Sequence, residues 1–330
     1  MTEKHVFLAR AVSEPVMQAA RESLPATLVV HESPNDPPSR QELLEGSRGA
    51  AGIIATLTEK IDDEVLEAAG PELRIVANVA VGFDNIDLVA AARRGVVVTN
   101  TPGVLDEATA DLAVALILTT ARKVVAADRF VRSGRPWVWG PKAFVGLDIS
   151  AGATLGIVGL GRIGLATARR ARAFGMKVLA TGSRATSAEA AEIGVEAADL
   201  DQVLAASDVV SLHCPLTEET RHLIGREQLA AMKQGSYLVN TARGPLVDEE
   251  ALADALDSGH LAGAGLDVHE HEPRVNERLR QMDQVVLLPH IGSAGAATRD
   301  AMAALAVNNV VEVLSGRPPL TPVAERSGLG

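Results

Sequence analysis

Along the first hundred residues, short apolar runs alternate with stretches whose apolar positions recur at helical spacing. Residues 6–9, 28–30, 51–55, 75–79 and 96–99 read as buried strands, with helices between them at 14–24, 40–45, 62–69 and 85–93. Ser13 ahead of Glu14, and Asp84 ahead of the helix at Asp87, supply helix-start signals. Such alternation predicts a parallel sheet with helices on both faces. After Thr101-Pro102-Gly103 comes a long helix, residues 105–125, that ends before Ser133-Gly134-Arg135-Pro136. It is apolar on most faces, so it is buried either between layers of one chain or between subunits.

A second series begins at Ala153. Its strands are 154–158, 177–181, 209–213, 237–240, 263–268 and 285–288, and helices at 163–173, 200–205, 227–232 and 249–258 separate the first five. Six strands with crossover helices suit a doubly wound, dinucleotide-binding sheet. A helix at 296–314 follows Pro289, and the chain ends in a Pro-rich tail. The expected fold class is α/β.

Composition narrows the picture. A chain of 330 residues suits two domains, and 47% apolar with 22% charged residues is a globular balance. Aromatics are only 2%, so the cores must be built from Ala, Val, Leu and Ile. With so few rings to stack bases and a net charge of −11, nucleic acid is not an expected partner. The longest apolar stretch, near 112–118, is far short of the ~20 residues a membrane span needs, so no membrane is expected either. Cys214 stands alone, and Met1-Thr2-Glu3-Lys4-His5 does not open a signal peptide; a cytoplasmic protein is expected.

Candidate chemistry starts at Gly159-Leu160-Gly161-Arg162-Ile163-Gly164, a G-x-G-x-x-G turn between a strand and a helix. Gly159 makes the tight turn, Gly161 lets backbone approach a pyrophosphate, and Gly164 permits close helix–strand contact. The helix N-terminus then offers N–H groups to the phosphates. Where an acid normally takes the adenosine ribose hydroxyls, this chain has Gly182, then Ser183 and Arg184. No carboxylate repels a 2′-phosphate there, and a hydroxyl and a guanidinium can bind one, so NADP(H) is expected in preference to NAD(H).

Three later strand ends carry Asn240-Thr241-Ala242-Arg243-Gly244, Asp267-Val268-His269-Glu270-His271-Glu272-Pro273 and Pro289-His290-Ile291-Gly292-Ser293. An Arg there suits capture of a carboxylate. A carboxylate beside a His holds it as a proton donor, which equips the site to protonate a carbonyl oxygen as hydride arrives. His269 and His271 have an H-x-H spacing, but two histidines do not make a metal site, and none is expected. Cys214 reads as a small buried thiol at a strand end.

Taken together these motifs resemble the D-isomer-specific 2-hydroxyacid dehydrogenases, most closely the glyoxylate/hydroxypyruvate reductases among them. The likeness runs over nearly the whole chain: Val79-Ala80-Val81-Gly82-Phe83-Asp84-Asn85-Ile86-Asp87, the fingerprint at 159–164, His213-Cys214-Pro215-Leu216-Thr217, and the three strand ends above. It implies two doubly wound parallel-sheet domains. A flavodoxin-like substrate domain, 1–101 plus 290–330, would hold an inserted Rossmann cofactor domain, 102–289, with hinges near Pro102 and Pro289. It also implies a homodimer, with the long helix in its interface.

Carried over by residue, Arg243 would bind the substrate carboxylate and polarise the keto group. His290 would be the acid/base, with Glu272 its partner. Val81 and Gly82 would offer backbone N–H groups to the carboxylate, and Leu57 would line the pocket from the opposite domain. Trp139 would reach the neighbouring subunit's site. Cys214, Pro215, Thr220, Thr241, Ala242, Asp267 and Gly292 would surround the cofactor beside the fingerprint. The chain departs from the family pattern at His269, where relatives carry Phe, and at Gly182-Ser183. The implied activity is NADPH-dependent reduction of glyoxylate or hydroxypyruvate to the D-2-hydroxy acid. Rival readings are a D-3-phosphoglycerate or D-lactate dehydrogenase and, outside enzymes, an NAD(H)-sensing binding protein or corepressor, which can retain the same three residues.

Overall fold

The protein is described by a computed structural model covering residues 4–33 and 36–323; residues 1–3, read above for a leader, and the last part of the tail, 324–330, lie outside them. The chain divides into two compact units, 1–105 with 294–330, and 106–293. These divisions fall a few residues beyond the expected hinges, so the His290 turn belongs to the second unit.

The first unit runs β1 (His5–Leu8), α1 (Glu14–Ser23), β2 (Thr27–Val30), α2 (Arg40–Ser47), β3 (Ala50–Ala55), α3 (Asp63–Ala69), β4 (Ile75–Asn78), α4 (Leu88–Arg93) and β5 (Val97–Thr99). The strands are all parallel in the order β2-β1-β3-β4-β5, the flavodoxin-like arrangement. Polar side chains start the helices: Ser39 and Glu42 form a reciprocal capping box on α2, and Asp62 accepts from the Val65 N–H on α3. Ser13 is the N-cap residue of α1, as expected, though its side chain makes no capping bond. The other start signal is corrected: the cap of α4 is Asp87, which accepts from the Ala90 N–H, rather than Asp84.

The second unit begins with α5 (Asp106–Ala121) and α6 (Val124–Arg132). One helix over 105–125 was expected; instead Lys123 takes a left-handed conformation at φ 54° and breaks it in two. One face of α5 is buried by packing inside the unit, while Leu112, Ala115 and Leu118 are not buried. Its buried Ala113, Leu116, Ile117 and Thr120 pack within the unit, where Gly263 and Gly265 make room: a Cβ at Gly265 would lie 2.7 Å from the Thr120 hydroxyl.

The unit continues through β6 (Thr154–Val158), α7 (Arg162–Ala173), β7 (Lys177–Ala180), α8 (Ala188–Glu192), β8 (Val195–Ala197), α9 (Leu200–Ala206), β9 (Val209–Leu212), α10 (Arg226–Ala231), β10 (Ser236–Asn240), α11 (Glu249–Asp257), β11 (Leu261–Leu266), α12 (Glu277–Gln281) and β12 (Val285–Leu287). Its sheet has seven parallel strands, not six, ordered β12-β11-β10-β9-β6-β7-β8. The unforeseen strand, β8, is three residues long with only Val195 buried, too little pattern to stand out. Aliphatic clusters cover both faces of each sheet, and Phe7 and Tyr237 are the buried aromatics among the described residues. No helix is long and apolar enough to cross a membrane among those residues.

Finally α13 (Ala296–Leu314) returns to the first unit and packs on β3, β4 and α1. Its fully buried Asn309 donates to the Leu305 carbonyl and the Thr321 hydroxyl, and accepts from the Leu320 and Thr321 N–H groups. Asn309→Leu strands those buried groups and is expected to lower unfolding stability by about 2 kcal/mol or more in urea titrations. An unchanged midpoint would count against this anchoring role.

Candidate active site

The turn from β6 into α7 is shaped by its glycines. Gly159 sits at φ 95°, and a Cβ there would lie 2.6 Å from the Cys214 nitrogen. A Cβ on Gly164 would meet the Gly159 carbonyl at 2.7 Å. Gly161 opens on free space, so nothing obstructs a ligand's approach to its backbone. It also caps α7 without a side chain, leaving first-turn N–H groups at Arg162 and Ile163 for an anion. Leu160 plays a different part: its N–H is used on the Thr181 carbonyl and its side chain is buried. The cradle fits a dinucleotide pyrophosphate.

Beyond β7, Gly182 adopts φ 110°, and a Cβ there would stand 3.0 Å from the Leu160 nitrogen. An acid at this position would be strained in backbone and crowded in space. Ser183 and Arg184 are exposed beside it, and Arg184 and Arg169 share Glu189 at 3.2 and 3.3 Å. At the end of β9, burial pushes the His213 imidazole down to about 4 and the Cys214 thiol up to about 11, so both are neutral at physiological pH. Thr220 donates to the Pro215 carbonyl and accepts from the Thr217 N–H, closing the following loop on itself.

Three adjacent strand ends then bring the expected chemistry together. After β10, buried Asn240 accepts from the Ala242 N–H at 3.0 Å and donates to the Arg243 carbonyl at 2.8 Å, fixing the turn that carries Arg243. The Arg243 guanidinium reaches back to the Ala242 carbonyl at 2.9 Å. The Thr241 hydroxyl is buried with no hydrogen-bond partner among the described residues. After β11, Asp267 is fully buried, and its two carboxylate oxygens accept from the Ile291 and Gly292 N–H groups at 2.7 and 2.8 Å. Its carbonyl takes the His290 N–H. Asp267 thus clamps the whole His290 turn, in which His290 itself is left-handed at φ 57°.

Glu272 Oε2 lies 2.9 Å from His290 Nδ1, and Glu272 Oε1 accepts from the His269 N–H at 3.0 Å. An ionised carboxylate only accepts, so Nδ1 carries the proton and Nε2 is the atom left for other work. Burial raises the Glu272 carboxyl, but the His290 hydrogen bond and charge, with the His269 N–H, outweigh it and hold the group below its usual range. Asp267 and Glu249 go the other way, raised by burial.

His269, the departure from the expected aromatic, is buried and donates from Nε2 to the Leu288 carbonyl at 2.9 Å. His271 is exposed, so the two rings diverge, and among the described residues no three His, Cys, Asp or Glu side chains gather as metal ligands. The motif reading overlooked the brace behind this loop: Glu249 and Glu270 accept each other's main-chain N–H, and Glu270 pairs with His222 at 2.7 Å. Their sequence separation hides that pairing. In the first unit, half-buried Leu57 lies in the turn after β3, and Val81 and Gly82 in the turn after β4. Trp139 is 78% exposed in the segment after α6.

Comparison with known proteins places this geometry. Residues 114–292 match the model of the NAD-binding domain of D-isomer-specific 2-hydroxyacid dehydrogenases. The chain is 46% identical to a glyoxylate reductase of Thermofilum pendens over 97% of this chain and 94% of that one. A solved protein of Thermus thermophilus is similar with a TM-score of 0.90 at 45% identity, covering 97% of this chain and all of the other. An NADPH-dependent glyoxylate/hydroxypyruvate reductase of Sinorhizobium meliloti, solved with NADP and malonate, has a TM-score of 0.82 at 36% identity, covering 98% and 97%. The chain belongs to the D-isomer-specific 2-hydroxyacid dehydrogenase family. Within that class it is an NAD(P)-dependent oxidoreductase.

One packing contact holds the Arg243 turn against the Glu272 loop. A Cβ at Gly244, next to Arg243, would lie 1.9 Å from the His269 carbonyl carbon and oxygen. Gly244→Ala must therefore push the Arg243 turn off the Glu272 loop, at an expected cost of about 3 kcal/mol in stability by thermal unfolding. A variant as stable as the unaltered chain would contradict the contact.

Proposed function

We propose that the protein reduces glyoxylate and hydroxypyruvate to D-2-hydroxy acids, with NADPH preferred over NADH. The observation that carries this reading is the His290–Glu272 pair at 2.9 Å, on the strand end beside the Arg243 turn, in a chain so like the glyoxylate reductases. A bound nicotinamide supplies the hydride. Arg243 takes the carboxylate of the 2-oxo acid and draws charge from its keto group. His290 Nε2 gives the proton to the keto oxygen, while Glu272 fixes the ring through Nδ1. By the family resemblance, Val81 and Gly82 would offer N–H groups to the substrate, and Leu57 would line its pocket. Thr241, Ala242, Cys214, Pro215 and Thr220 would line the cofactor with the fingerprint, while buried Asp267 would hold Gly292 in place beside it. Support for NADPH lies in Gly182, where an acid would be strained and crowded, and in the exposed Ser183 and Arg184 beside it.

A second copy would cover the exposed apolar segment after α6, where Trp137, Val138 and Trp139 stand 63%, 92% and 78% exposed. This is the homodimer reading, with Trp139 facing the partner.

Turnover is tested by NADPH and NADH oxidation with glyoxylate, hydroxypyruvate, pyruvate and phosphohydroxypyruvate. Rapid oxidation with the first two is expected; tight cofactor binding without turnover would favour a sensor. His290→Ala is expected to lower kcat by ~10²-fold or more, and Arg243→Ala to raise KM with a further loss of kcat. Wild-type kinetics in either would remove that residue from the site. Arg184→Ala is expected to lower kcat/KM for NADPH by roughly tenfold and leave NADH nearly unchanged, the signature of a lost phosphate contact. Equal losses with both cofactors would refute that contact.

A further inference from the structure

The turn after β4 has an unusual set of partners. Three successive carbonyls are held: Ala80 by the Thr101 N–H at 2.9 Å, Val81 by Asn100 Nδ2 at 2.8 Å, and Gly82 by Asn78 Nδ2 at 2.8 Å. In a trans peptide the carbonyl and the following N–H point in opposite directions. Holding the carbonyls of 80 and 81 therefore turns the N–H groups of Val81 and Gly82 outward together. Among the described residues neither of those N–H groups takes part in a hydrogen bond. Two adjacent unpaired amides on a turn can receive an anion.

We propose that Asn100 is a positioning residue for the substrate carboxylate, aiming and polarising the Gly82 N–H through the Val81 carbonyl of the same peptide. A donor on a peptide oxygen strengthens the N–H at its other end, since linked hydrogen bonds polarise one another. Asn100 is itself well placed for this. Its N–H goes to the Thr321 carbonyl and its carbonyl accepts from the Thr321 hydroxyl, so the backbone is anchored and the side chain is committed to Val81. The other side of the turn is fixed as firmly. Fully buried Asn78 bonds Asn85, which donates to the Thr56 and Glu59 carbonyls. This inference rests on the reading that Val81 and Gly82 receive the carboxylate of a 2-oxo acid.

Asn100→Asp keeps the size of the side chain but sets an acceptor against the Val81 carbonyl; Asn100→Ala removes the group. A carboxylate contact is alike in bound substrate and transition state, so its loss appears in KM. Both variants are expected to raise KM for glyoxylate by about tenfold or more, and to weaken oxamate, an unreactive carboxylate analogue, in parallel. The kcat should change less than KM, and the dissociation constant of NADPH should hold. A KM within twofold of the unaltered chain in both variants overturns the inference, as does equal weakening of NADPH and glyoxylate. If the unaltered chain reduces no 2-oxo acid, the reductase reading fails instead. Oxamate binding that is tight in the unaltered chain and weak in both variants would even then uphold the role of Asn100.

Discussion

The site depends on the near-contact of two backbones, Gly244 against His269. Parallel neighbours in a sheet run about 4.8 Å apart, and their ends diverge as soon as side chains intervene. Here β10 and β11 are neighbours, and the absence of a side chain at Gly244 lets their continuing turns stay in touch. Arg243 rides on one turn and Glu272 on the other. The third member, His290, arrives through Asp267, whose carboxylate collects the next two amides of the chain. Rigid strands thus set the positions, and short polar links set the orientations.

Three carboxylates close in sequence show how partners decide charge. Glu249 and Asp267 are shut away from water, and burial pushes both upward. Glu272 is 32% exposed and has a histidine and a main-chain N–H on its two oxygens, so it is held down. A carboxylate that stays ionised beside His290 is what an acid/base histidine requires.

Much of this was legible in the chain. Apart from β8, the strands of both sheets announce themselves as aliphatic runs, and β6 and α13 fall at their expected limits. Glycine spacing marked the phosphate turn because the constraint there is local. The break at Lys123 was not legible, because a left-handed lysine carries no compositional mark. Nor was the Glu249–Glu270–His222 brace, whose members meet only after the sheet has formed. His269 raised a question that distance answers: its ring replaces apolar packing with a bond to the Leu288 carbonyl, two residues before His290.

The single cysteine has a consequence outside catalysis. Half-buried beside the Gly159 turn, the Cys214 thiol is raised to about 11. At neutral pH the protonated form then dominates, and the thiolate is the form that peroxides and alkylating reagents attack. With no second cysteine to trap it as an internal disulfide, the chain has almost no thiol redox chemistry of its own. A thiol kept protonated at the nucleotide turn is a poor target for reagents that attack thiolates.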